Sequence, residues 1–194
     1  MEHPLPTAPT KIVVTGPFGA GKTTLVTTLS GIPGVSTETG VSDGTAVVKT
    51  RTTVALDHGT VTATPPVGAA WPQQRVALFG TPGQDRFSFM WEMLSTDMAG
   101  YVVVVDASTT TSVVQARDIA ATFARLAPEV PRVVAVNRWA EPDRTRTHLA
   151  RALGAPADAL VECDPRDLAD CTTALHHLLD RIPHPRPGEH GPRP

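Results

Sequence analysis

The sequence predicts an α/β fold: a mostly parallel sheet with helices on both faces. Two observations carry that expectation. Short β-branched runs alternate with stretches of helical periodicity through residues 11–182. A glycine-rich motif, Gly16-Pro17-Phe18-Gly19-Ala20-Gly21-Lys22-Thr23, stands at the junction of the first run and the first helical stretch.

The elements follow in order. Residues 1–10 contain Pro4, Pro6 and Pro9, and residues 183–194 hold five further prolines. Proline supplies no backbone donor, so both ends are expected to be extended or disordered, leaving residues 11–182 as one folded unit. Lys11–Thr15, Arg75–Phe79, Gly100–Asp106 and Arg132–Asn137 read as strands. The first, third and fourth lack polar alternation, as strands covered on both faces should. Thr24–Ser30 reads as a helix after the glycine motif. Thr111–Ala127 places Val113, Ala116, Ile119, Ala120 and Phe123 at helical spacing, and Asp167–Ile182 does the same with Leu168, Cys171, Leu175, Leu178 and Leu179. Asp167 is placed as the N-cap of the last helix. Thr52–Asp57 and Gly59–Thr64, joined at Asp57-His58-Gly59, read as an antiparallel edge hairpin.

Composition narrows the function. A content of 41% hydrophobic residues suffices for a core, and 17 basic against 19 acidic side chains gives a net charge of -2, which supplies no general grip on nucleic acid. Two cysteines, Cys163 and Cys171, are too few for a disulfide framework and fit a reducing compartment. No apolar run approaches the roughly 20 residues that cross a bilayer. A cytoplasmic protein without membrane insertion is the expectation.

The motif at 16–23 satisfies G-x-x-x-x-G-K-[ST] at every fixed position, between a strand and a helix. Glycines allow backbone N–H groups to turn towards an anion, and the helix N-terminus adds partial positive charge. Lys22 is expected to reach the β- and γ-phosphates of a nucleotide and Thr23 to take a Mg²⁺ position. A second segment, Leu78-Phe79-Gly80-Thr81-Pro82-Gly83-Gln84-Asp85-Arg86-Phe87, follows a strand expected beside the first. Gly83 offers an N–H for the γ-phosphate and Gln84 an amide to orient the attacking water. Taken alone, Thr-Pro-Gly is also a turn leaving a strand.

These words resemble the Ras-like small GTPases, above all the bacterial MglA-like branch and the actinobacterial conservon (CvnD-type) GTPases. The resemblance rests on GPFGAGKTT at 16–24, TTVALDHG at 52–59, LFGTPGQDRF at 78–87 and AVNRWA at 135–140. It implies a P-loop NTPase G-domain with a six-stranded sheet, binding GTP or GDP with Mg²⁺ as cofactor. The nucleotide would then touch Gly16, Phe18, Gly19, Ala20, Gly21, Lys22, Thr23 and Thr24 in the loop. Further contacts would come from Thr53, Gly83, Asn137, Arg138, Cys163 and Asp164. Thr53, with Thr52 as competitor, matches the threonine that senses γ-phosphate and metal. Gln84, Lys22 and Arg51 are the catalytic candidates. Arg86 is a second basic candidate, and for both arginines a solvated surface position is the favoured reading. The implied partner is a roadblock/longin-type protein, with Phe87, Phe89, Met90, Trp91 and Met93 as a candidate surface or, alternatively, as core.

Two positions depart from the pattern. Where P-loop NTPases carry a metal-holding aspartate, this chain has Gly80. Asp57 is the nearest spare carboxylate and either holds Mg²⁺, together with Thr23 and Thr53, or caps the Asp-His-Gly turn. Where guanine-specific proteins end Asn-Lys-x-Asp, this chain reads Asn137-Arg138-Trp139-Ala140, and alanine accepts no hydrogen bond. Glu141 with a one-residue shift, or Trp139 stacking on a base, are the substitutes within reach. Backbone N–H groups around Glu162-Cys163-Asp164-Pro165-Arg166 are expected, from the resemblance, to meet a base carbonyl. The function readings that remain are a GTP-operated switch with slow hydrolysis, a G-domain-like scaffold with degraded nucleotide control, and a small-molecule kinase or ATPase.

Overall fold

In a computed structural model the described residues are 8–31, 56–82, 89–140 and 142–184. They form a six-stranded sheet flanked by helices. In chain order the elements are β1 (Thr10–Thr15), α1 (Lys22–Ser30), β2 (Asp57–Ala63), β3 (Gln74–Gly80), α2 (Phe89–Ser95) and β4 (Gly100–Asp106). They continue with α3 (Thr110–Leu126), β5 (Arg132–Asn137), α4 (Pro142–Leu153), β6 (Leu160–Glu162) and α5 (Leu168–Leu179). The spatial order is β2-β3-β1-β4-β5-β6. Every pairing is parallel except β2 with β3.

Successive strand side chains point to opposite faces, so each buried run feeds two cores at once. Ile12 and Val14 of β1, with Val102 and Val104 of β4, pack beneath Leu25 and Leu29 of α1 and Leu175 and Leu178 of α5. Val13, Val103, Val105, Val134 and Val136 face the other way, towards Trp91 of α2 and Ile119 and Phe123 of α3. Tyr101 and Phe123 pack ring to ring on that side, at 5.4 Å between centroids. Asp167 caps α5, its side chain accepting from the N–H groups of Ala169 and Asp170 as its position implies.

One expectation is corrected. Asp57-His58-Gly59 is not a hairpin turn: the three residues run inside β2, paired across from Gly80, Phe79 and Leu78 of β3. The antiparallel pair is therefore β2 with β3, joined through residues 64–73. Gly59 is required by packing instead. A Cβ there would lie 2.7 Å from the Cβ of Ser30 and 3.1 Å from Cγ1 of Val26, because α1 crosses β2 at this point. Of the apolar residues after the Thr-Pro-Gly segment, Met90, Trp91 and Leu94 face the core while Phe89 and Met93 stand exposed. No helix among the described residues is long and apolar enough to cross a membrane.

Candidate nucleotide site

The glycine motif connects β1 to α1 at the carboxyl ends of the parallel strands, the edge at which open α/β sheets bind ligands. Gly16 has a φ of 140°, and a Cβ on it would lie 2.1 Å from the carbonyl oxygen of Val104. Only glycine lets the loop start this close to β4. α1 then begins after Gly21, itself at a φ of 114°, with no side chain capping the helix and no acidic residue in its first turn. A helix end of this kind leaves backbone N–H groups directed at whatever anion approaches. Ala20 is buried beneath the loop, while Phe18, Gly19, Thr23 and Thr24 are exposed.

Lys22 opens α1 and is only 7% exposed. Its ammonium donates to the carbonyls of Gly16, at 2.9 Å, and Pro17, at 2.7 Å. Those two acceptors replace bulk water incompletely. Burial therefore pulls its pKa from 10.5 down to about 8, against the opposing pull of the Asp57 carboxylate. Phosphate oxygens arriving at this ammonium would favour its charged form. Nucleotide binding is accordingly expected to take up protons once the pH passes about 8. Titration calorimetry in two buffers of different ionisation enthalpy measures that uptake. An equal apparent enthalpy in both buffers above pH 8 would show that Lys22 does not meet the phosphates.

Beside the lysine, the hydroxyl of Thr23 donates to Oδ2 of Asp57 at 2.6 Å. Of the two readings open for Asp57, the cap of a turn is thereby removed, since no turn exists there. Asp57 lies directly across from Gly80 in the antiparallel pair. A Cβ on Gly80 would sit 2.8 Å from the Cβ of Asp57 and 3.0 Å from its Oδ2. The absent side chain of one strand is the space occupied by the carboxylate of the next. β3 then continues into Thr81, whose N–H donates to the carbonyl of Val14 at 2.8 Å and whose hydroxyl meets that of Thr15 at 2.9 Å. Arg51, Thr53, Gly83 and Gln84 lie outside the described residues, as do Thr52, Arg86, Phe87 and Glu141.

The opposite flank of the loop is built from the ends of β5 and β6. The amide of Asn137 donates through Nδ2 to the carbonyl of Ala20 at 3.1 Å, so this residue braces the loop from beneath. Arg138 has a φ of 52° and forms an ion pair with Asp106 at the end of β4. Burial raises the Asp106 pKa, but hydrogen bonds from Ser108 and Arg138 outweigh it and hold the carboxyl below its ordinary value. Trp139 is a packing residue and not free to stack on a base: its indole N–H donates to Thr145 at 2.8 Å and Arg146 covers its ring at 4.9 Å. Cys163 is buried, and contact with the Cys171 thiol together with burial pushes its pKa up, so it is no nucleophile. Asp164 pairs with Arg166, which holds its carboxyl at about 2.

Asp106 is not legible in the sequence alone, because its role depends on the β4–β5 pairing that sets it against Asn137. Pro165 lies in the loop expected to meet a base carbonyl, yet its missing N–H is legible from residue type alone.

Comparison with known proteins adds a second line of evidence. A family described as conserved hypothetical ATP-binding proteins matches residues 35–185. The chain belongs to that family. The matched span begins beyond the glycine motif, so family membership and the motif at 16–23 are independent indications of the same thing: this is a nucleotide-binding protein with a P-loop NTPase fold. The chain is also similar to the uncharacterized protein MJ1339 of Methanocaldococcus jannaschii, 34% identical over 98 residues. That match covers 50% of this chain and 51% of the relative, so the chain spans about half the length of the curated protein it matches.

Proposed function

We propose that this family member is a nucleotide-operated switch that binds GTP or GDP with Mg²⁺, hydrolyses the triphosphate slowly and signals through a partner of roadblock/longin type. The observation that supports this most is the contact between Thr23 and Asp57 beside an uncapped helix N-terminus and a buried lysine. An anion cradle, a lysine and a hydroxyl–carboxylate pair are the parts that hold a metal-bound triphosphate.

The donor set fits magnesium. A hydroxyl and a carboxylate oxygen in direct contact are hard oxygen ligands, and the space opposite Gly80 is what lets the carboxylate reach them. Thr23 and Asp57 would hold the ion, with Thr53 as the third candidate. When bound, Mg²⁺ neutralises charge on the phosphate oxygens.

The chain's own groups divide the remaining work. The α1 N–H groups and Lys22 fix the phosphates. Gln84 orients the attacking water, and Arg51 supplies positive charge to the transition state. The described residues that flank these segments, Asp57 and Thr81, lie at the phosphate end of the sheet. Thr53 and Gly83 are the groups that would answer to the γ-phosphate, as a switch that senses its loss requires. The exposed Phe89 and Met93 at the start of α2 give such a partner an apolar contact.

Gln84→Ala tests the hydrolytic half of the proposal. Single-turnover hydrolysis is expected to fall at least tenfold while nucleotide affinity stays within about twofold, because a water-positioning group acts on the chemical step. An unchanged rate would remove Gln84 from that role.

A further inference from the structure

Among the described residues, the base end of this site holds neither a free backbone donor nor a selective acceptor for guanine, and we infer that the protein selects nucleotides by their phosphates and does not discriminate guanine from adenine. This deepens the proposed nucleotide switch and rests on that reading of the P-loop.

The position of the base follows from the two flanks of the loop. Thr23 and Asp57 take the β2–β3 side, where the terminal phosphate and its metal belong. A nucleoside triphosphate laid along the α1 N-terminus therefore directs its base to the other side. There Asn137 braces Ala20, and Pro165 packs on Gly21 so closely that a Cβ on that glycine would lie 2.7 Å from Cγ of the proline.

Guanine presents a carbonyl acceptor, O6, beside the N1–H and N2–H donors, whereas adenine presents an amino donor at N6. Selecting guanine thus needs a fixed donor for O6 and a fixed acceptor for N1 and N2. The donor is missing from the loop between β6 and α5. The N–H of Cys163 is given to the carbonyl of Val136 at 3.0 Å, and that of Asp164 to the Asp170 carboxylate at 3.0 Å. Pro165 has no N–H. The N–H of Arg166 goes to Oδ1 of Asp164 at 3.0 Å, and that of Asp167 to the carbonyl of Asp164 at 2.9 Å. The N–H groups of Cys163, Asp164, Arg166 and Asp167 are thereby all taken within the chain.

Among the described residues the acceptor is missing as well. Ala140 ends in a methyl group, the Asn137 amide is turned to the loop, and the Trp139 indole is a donor already held by Thr145. The carboxylate of Asp164 remains. It accepts from an amino group, and both purines offer one, so it does not choose between them. Sites that hydrogen-bond a distinguishing group reject its analogue by factors of about 10⁴ or more, and a site without such bonds forfeits that selection.

The test is calorimetric titration of the full chain with GTP and with ATP, each with Mg²⁺. The two dissociation constants are expected to lie within tenfold of each other. A preference for GTP of tenfold or more would overturn the inference, since some other group would then be reading the base. Failure of folded protein to bind either nucleotide would instead overturn the proposed switch, and this inference with it. The double variant Ala140→Asp with Pro165→Ala supplies both missing groups, an acceptor and a free N–H. It is expected to raise the GTP-over-ATP ratio at least tenfold, and an unchanged ratio would show that these two positions are not what selection depends on.

Discussion

Lys22→Met is expected to weaken nucleotide binding at least 100-fold without lowering the melting temperature of the nucleotide-free protein. The binding loss follows from the contacts at stake: hydrogen bonds to charged groups are worth about 1.5–3 kcal/mol each, and an ammonium between two phosphates makes more than one. The retained stability follows from how the lysine sits before any nucleotide arrives. Its stem is packed at the start of α1, where methionine provides similar apolar bulk, while its ammonium is held by two loop carbonyls in place of water. A pKa lowered from 10.5 to about 8 means that the folded chain disfavours the charged form, by about 3 kcal/mol relative to the unfolded chain.

The sign of the pH dependence follows from the same shift. Between about 8 and 10.5 the unfolded chain holds the Lys22 proton and the folded chain has begun to release it. Stability contributed by this residue therefore rises with pH across that window and is flat below it. Lys22→Met abolishes the rise. Denaturant titrations of both proteins across the window measure it. A variant as pH-dependent as the parent would show that the buried ammonium is not its source, and a variant still binding nucleotide within tenfold would remove Lys22 from the phosphates.

The parts of the fold that were legible in the sequence are those where local pattern and tertiary role agree. Gly100–Asp106 and Arg132–Asn137 are strands to the residue, because an unbroken β-branched run has no other stable use at that length. α3 and α5 were legible for the equivalent reason at helical period. α4 carries no such signal in its first half. Its sequence, Pro-Asp-Arg-Thr-Arg-Thr-His-Leu-Ala-Arg-Ala-Leu, is mostly polar, and of its later residues only Ala150 and Leu153 are buried. β6 has three residues and is held by pairing with β5, a contact no local window contains.

Asp57-His58-Gly59 shows how tertiary structure overrides a local signal. Asp-x-Gly is turn chemistry when the glycine is needed for backbone freedom. Here the two residues answer to different neighbours: Gly59 admits α1 against the sheet, and Asp57 serves the loop across the strand. Lys22 and Thr23 were legible because their chemistry requires a contiguous motif. The partnership of Asp57 with Gly80 required the β2–β3 register, which places them opposite each other from 23 positions apart in the chain.

That register makes the second large effect a reciprocal one. Residues directly opposite in an antiparallel pair project to the same face, so either strand can present a carboxylate to the Thr23 hydroxyl provided the other presents none. Asp57→Ala is expected to cut the Mg²⁺-dependent part of nucleotide affinity by about 10- to 100-fold, a loss no smaller than that of groups that only orient metal ligands. Gly80→Asp alone is expected to destabilise the protein by about 1–3 kcal/mol, because its Cβ would meet that of Asp57 at 2.8 Å and bring two carboxylates together. Combining Asp57→Gly with Gly80→Asp moves the carboxylate to β3, the position other P-loop NTPases use, and removes the crowding in one step. Stability close to the parent and Mg²⁺-dependent affinity within tenfold of it are the expected results, read by thermal denaturation and by titration with and without chelator. If Asp57→Ala leaves the Mg²⁺ dependence intact, the Thr23–Asp57 contact only braces the loop. If the exchanged pair folds but does not recover it, β2 supplies a geometry for the metal that β3 cannot.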